Sequence, residues 1–66
     1  MSKPSDQMSA YFQKKGENLE ELADHHASIG ELSQAKDLYS QARSMYERLG
    51  NQEFISRIDK KLGNLK

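Results

Sequence analysis

The chain has 66 residues, ten basic and ten acidic, with no cysteine and no tryptophan. That length allows one small domain burying about 60% of its unfolded surface, so the core is thin. Missing thiols exclude disulfides and thiolate metal sites, and balanced charge does not favour a phosphate-seeking surface.

Apolar runs are short, as in Phe54-Ile55, so no membrane span or secretory h-region is expected, and a soluble cytoplasmic protein is the simplest expectation. Val and Thr are absent, and the β-branched residues are Ile29, Ile55 and Ile58. Strands favour the missing types, whereas Ala, Leu, Gln, Glu, Lys and Arg favour helix. The predicted fold class is all-α: a small antiparallel bundle of three to four helices.

Glycines punctuate the chain at Gly16, Gly30, Gly50 and Gly63. Glycine takes the left-handed conformation just past a helix end without a Cβ clash. Read as stops, the four predict helices over 5–15, 17–29, 32–49 and 52–62. Residues 1–4 read as a flexible tail and 5–66 as one domain. Ser2 or Ser5 would cap the first helix and Asn51 the last. Gly16 also allows a second reading, one long helix over 5–29, at about 1 kcal/mol for the internal glycine.

The first segment offers Met8, Tyr11 and Phe12, and the second Leu19, Leu22, Ala23 and His26. In the third, Leu32, Ala35, Tyr39, Ala42, Tyr46 and Leu49 alternate spacings of three and four, a continuous stripe along one helix. Leu38 and Met45 widen it, so neighbours on more than one side are expected. Ala35 and Ala42 would let a second backbone come close. The last segment carries Phe54, Ile58, Leu62 and Leu65 on one face, with Ile55 beside it. Phe12-x3-Gly16 returns as Tyr46-x3-Gly50 after 34 residues, a hint of an internal period.

Over residues 16–49 this pattern resembles a tetratricopeptide repeat. Leu19, Leu22, Ala23 and His26 match its first helix, Gly30 its turn, and Ala35, Tyr39 and Ala42 its second helix. Leu19 stands where the family has an aromatic, His26 where it has Tyr, and Glu47 where it has Pro. The resemblance implies a helical hairpin that binds protein, with residues 5–15 imitating a preceding helix and 52–65 a following one. A single repeat cannot cover its own faces, so flanking helices, a second copy in a homodimer, or a partner must. A weaker resemblance, carried by Ala23-Asp24, Gly30, Ala35, Leu38-Tyr39 and Ala42, is to the microtubule-interacting and trafficking domain, a three-helix peptide-binding bundle.

Between Gly16 and Ala35 there is no Lys or Arg, and Glu17, Glu20 and Asp24 share one helical face. In a tetratricopeptide repeat that face lines the concave groove, and Ala27 and Ser28 would continue it. The resemblance therefore implies a groove for a basic protein partner. The plainer alternative is a solvated acidic turn that complements the helix dipole. Tyr11, Phe12, Tyr46, Phe54 and Leu62 are the candidates for an apolar interface with a partner or a second copy.

Catalysis is not expected. The serines form no G-x-S-x-G elbow, there is no phosphate-cradling glycine loop, and a short hairpin encloses little volume. No cofactor is expected. Adjacent His25 and His26 point about 100° apart and cannot share an ion. Glu21 and His25 at i, i+4 could share a metal, but with two histidines and no cysteine a complete site would need more carboxylates or a second chain. His26 is expected in the hairpin and His25 in solvent. Arg57, Lys60, Lys61 and Lys66 give the last segment a net charge of +2 against Glu53 and Asp59. An alternative function follows from them, a small nucleic-acid-binding regulator, although such proteins normally show a stronger basic stripe. Glu53 and Arg57 at i, i+4 offer a simpler role for that cation. The leading expectation is a non-catalytic interaction module, a small adaptor or regulator.

Overall fold

The computed structural model describes residues 4–65, with side chains from Met8 to Leu65. Three helices follow one another: α1, Pro4–Ser28, α2, Leu32–Leu49, and α3, Gln52–Asn64. Of the expected tail, residues 1–3 lie outside the described residues, and Pro4 opens α1. Pro suits the first turn of a helix, where its missing N–H has no partner to lose. Ser2 also lies outside, and Ser5 stands inside α1 rather than before it.

Gly16 does not stop a helix. α1 runs through it, so residues 5–15 are not a separate preceding helix. The glycine serves a close approach instead: a Cβ there would sit 2.6 Å from Cε1 of Tyr46. Only a residue without a side chain lets the Tyr46 ring lie against the α1 backbone.

Of the other three glycine stops, those at Gly30 and Gly50 hold and that at Gly63 does not. Gly30 and Gly50 take φ of 82° and 77°. The Gly30 N–H donates to the Ala27 carbonyl and the Glu31 N–H to the His26 carbonyl. Gly50 and Asn51 repeat the arrangement, their N–H groups reaching Tyr46, and that of Gly50 Glu47 as well. Both turns thus close the orphan carbonyls of the helix before them. Asn51 then caps α3, its side chain accepting from the Phe54 N–H at 3.0 Å. Gly63 lies within α3, which extends to Asn64.

Tight turns send α2 back along α1. Tyr39 bonds Asp24, while Tyr46, seven residues on, bonds Glu20 and packs on Gly16. The core consists of Ala23, Ala35, Tyr39, Ala42, Tyr46, Ile55 and Ile58, with Leu19, Ala27, Leu38, Leu49, Phe54, Leu62 and Leu65 packed against it. Ala23, Ala35 and Ala42 are fully buried, and their small size is what brings the backbones together. Ile55 and Ile58 bring α3 onto this layer. The molecule is slender, 45 × 17 × 12 Å along its Cα axes. Arg48, near the end of α2, stacks over the Phe12 ring at 5.5 Å. The first turns of α1 therefore run on past the end of α2.

Candidate functional site

Two faces of α1 carry candidate residues, and the acidic one is already occupied. Glu20 is buried at 6% exposure. Its Oε1 accepts from the Tyr46 hydroxyl at 2.8 Å and from Arg57 Nη2 at 2.7 Å, while Oε2 accepts from Arg57 Nε and Lys61 Nζ, each at 2.8 Å. Lys61 reaches on to both carboxylate oxygens of Asp24 at 3.1 Å. Asp24 also accepts from the Tyr39 hydroxyl. Four charged groups and two tyrosines thus tie all three helices together.

This arrangement shapes the protonation of its members. Burial alone would push the Glu20 carboxyl up, but hydrogen bonds from Arg57, Lys61 and Tyr46 outweigh it and hold the group at about 2. Burial and the neighbouring carboxylates of Asp24 and Glu20 push the Tyr39 and Tyr46 hydroxyls up, so both stay protonated donors. Desolvation opposes the charge on Lys61, yet Glu20 and Asp24 raise its pKa overall.

The five residues expected to line an acidic groove therefore have different fates. Glu20 is saturated within the chain and is not free to take a cation from a partner. Asp24 is shared between Tyr39 and Lys61. Ala27 packs against the core. Glu17 is exposed and accepts from Gln13 at 3.2 Å. Ser28 is exposed and donates to the His25 carbonyl. The positive charge this face was expected to select is supplied by the chain's own α3.

The same contacts bear on the basic segment. Arg57, whose helical spacing suggests Glu53 as its partner, turns to Glu20 and covers the Phe54 ring at 4.5 Å. Lys61 is committed to α1 as well. Lys60 remains exposed, and Lys66 lies outside the described residues. A phosphate-binding stripe would have to compete with Glu20 for its two central cations.

Of the five expected apolar contact residues, only Tyr11 stands clear of the fold, at 56% exposure. Tyr46 is fully buried and cannot meet a partner. Phe12 lies under Arg48, Phe54 lies between Tyr46 and Arg57, and Leu62 packs on the core. Among the described residues the exposed large apolar side chains are instead Met8, Tyr11, Leu22 and Ile29. Leu22 departs from the tetratricopeptide pattern, which places that leucine in the hairpin. These four belong to one series at alternating spacings of three and four: Met8, Tyr11, Lys15, Asn18, Leu22, His25 and Ile29. That spacing lines the series along one side of α1, with Lys15, Asn18 and His25 between its apolar members. Its polar middle hides the period from a search for apolar runs. A shallow groove of about 420 Å³ follows it along Asn18, Glu21, Leu22 and His25.

His26 is half-buried, its Nδ1 2.6 Å from Glu31 Oε1, and His25 is exposed. Among the described residues no group of three or more His, Cys, Asp or Glu side chains gathers to hold a metal, and no helix is long and apolar enough to cross a membrane. Comparisons with protein-family models, curated proteins and solved structures return no match.

Proposed function

We propose that this chain is a non-catalytic protein–protein interaction module, a tetratricopeptide-like helical hairpin that binds through the outer face of α1. One observation carries the reading. Met8, Tyr11, Leu22 and Ile29, between 46% and 57% exposed, stand on a single seam, while the core closes without them. Scattered surface leucines are ordinary, but an aligned set of large apolar side chains marks a contact surface. The acidic face of α1 is an internal joint, with α3 standing where a basic partner was expected. Binding on the outer seam leaves that joint intact.

A photo-crosslinking side chain placed at Leu22 should capture discrete protein adducts in cells, a copy of this chain or another protein. The same group at Ser40, exposed on α2, should not. Equal, diffuse labelling at both positions would overturn the reading.

A further inference from the structure

We infer that the occupant of the outer α1 seam is α1 of a second copy of this chain, packed antiparallel. This rests on the reading of that seam as the binding surface and names what covers it.

In heptad terms, Met8, Lys15, Leu22 and Ile29 stand at the first core position, and Tyr11, Asn18 and His25 at the second. Phe12, Leu19 and His26 flank one edge of the seam, and all three turn toward the chain's own hairpin or turn. The other edge carries Lys14 and Glu21, both exposed. Two helices in parallel would set Lys14 against the edge already turned inward, where no carboxylate waits. Two helices in antiparallel bring this edge against itself, so that Lys14 of each copy faces Glu21 of the other.

The register that makes these two ion pairs also aligns the core. It stacks Tyr11 of each copy on Leu22 of the other, and Met8 on His25. Lys15 meets Asn18 at the centre, beside the two-fold axis between residues 16 and 17. A polar layer at the centre of a helical seam fixes register at some cost in stability. Sliding the copies by one heptad in the direction that joins Tyr11 to Ile29 would set Glu21 against Glu21 instead. The Lys14–Glu21 pairs and the Tyr11–Leu22 layers thus select the same arrangement, against the like charge of the two Lys15 side chains that it brings near the axis. Met8 and Tyr11 lie exposed on this seam, and the second copy covers them. The seam is isologous, as a two-fold dimer requires.

Sedimentation of the wild-type chain from about 10 µM to about 1 mM, the range suited to a short seam, should show the 7.6 kDa chain passing to twice that mass. Leu22→Glu should stay monomeric with unchanged helicity, because Leu22 lies off the core. Lys14→Glu or Glu21→Lys alone should weaken the dimer by roughly three- to tenfold, and the two together should restore it. The chain has no cysteine, so introduced thiols report orientation directly. Tyr11→Cys mixed with Leu22→Cys should oxidise to a linked dimer. Leu22→Cys alone should not, since its two copies would lie about 16 Å apart along the axis. A monomer throughout the range, or a dimer indifferent to Leu22→Glu, would overturn the inference. Self-linking of Leu22→Cys, or failure of the double charge swap to restore the dimer, would overturn the antiparallel arrangement. If the chain is monomeric while Leu22 still captures another protein in cells, the inference fails and the interaction reading stands.

Discussion

Between α1 and α2 the contact is close and apolar, built from Gly16, Ala23, Ala35 and Ala42 with two tyrosine rings between them. Between α1 and α3 it is carried by long charged side chains meeting Glu20 and Asp24. The first joint depends on shape, so it responds to single methyl groups and hardly to pH or salt. The second depends on charge held partly in water, so solution conditions reach it. Tyr46 belongs to both, its ring against Gly16 and its hydroxyl on Glu20.

Tyr46→Ala is therefore the most damaging single change expected. Emptying a fully buried aromatic site costs about 3–5 kcal/mol. A chain of this length has a total stability of roughly 3–10 kcal/mol. Loss of the cooperative thermal transition is the expected outcome, read by circular dichroism. Tyr46→Phe, which keeps the ring and removes the hydroxyl's bonds to Glu20 and Arg57, should remain folded. If both variants behave alike, the hydroxyl rather than the packing governs the joint.

Glu20→Gln tests the charged joint alone and should cost about 2–4 kcal/mol. That is somewhat under the value for a fully buried pair, because Arg57 and Lys61 are partly hydrated. Its pH dependence has a definite sign. The folded carboxyl titrates at about 2, below the ordinary glutamate range near 4.3. Its contribution is present above the ordinary value and is lost as pH falls toward about 2. Urea midpoints of the wild type should fall from about pH 5 downward, and those of Glu20→Gln should fall less steeply. Parallel curves would show that Glu20 is not the group that couples acid to stability.

Much of this fold can be read from the residues. Gly30 and Gly50 mark both turns, Asn51 marks the start of α3, and the stripe from Leu32 to Leu49 contains four of the seven core residues. Gly16 is readable only as a glycine: whether it ends a helix or admits a ring depends on Tyr46, thirty residues away, and local propensity carries no information about that. Glu20 misleads for a related reason. Its neighbours in sequence form an acidic face that looks solvated, and the cations that bury it come from another helix. Leu22 looks like core because the repeat pattern has a leucine there, yet the 3.6-residue turn sends it to a different side of α1 from Ala23.

Gly16→Ala sharpens the first joint further. In an exposed helix interior this change stabilises by about 1 kcal/mol. Here the new methyl would lie 2.6–3.0 Å from three atoms of the Tyr46 ring. The ring cannot retreat easily, with Phe54 edge-on at 4.9 Å and Glu20 holding its hydroxyl. A net loss of about 1–3 kcal/mol is expected, measured as a lower urea midpoint. A gain in stability would mean that Tyr46 has room to move and that the close approach is not needed.

Asn51→Ala should have the smallest effect, about 1 kcal/mol, and it reports on how α3 is held. The cap accepts from the Phe54 N–H, so its loss frays the first turn of α3. The ion pairs of Arg57 and Lys61 and the burial of Ile58 lie farther along the helix. If the charged clasp holds α3 independently of its start, amide exchange should quicken at the first turn alone and leave the amides around Ile58 protected. If protection is lost along the whole helix, the turn and the clasp act as one unit, and α3 leaves the hairpin in a single step. Salt then separates the two cases, since screening the clasp should add to the fraying in the second and not in the first.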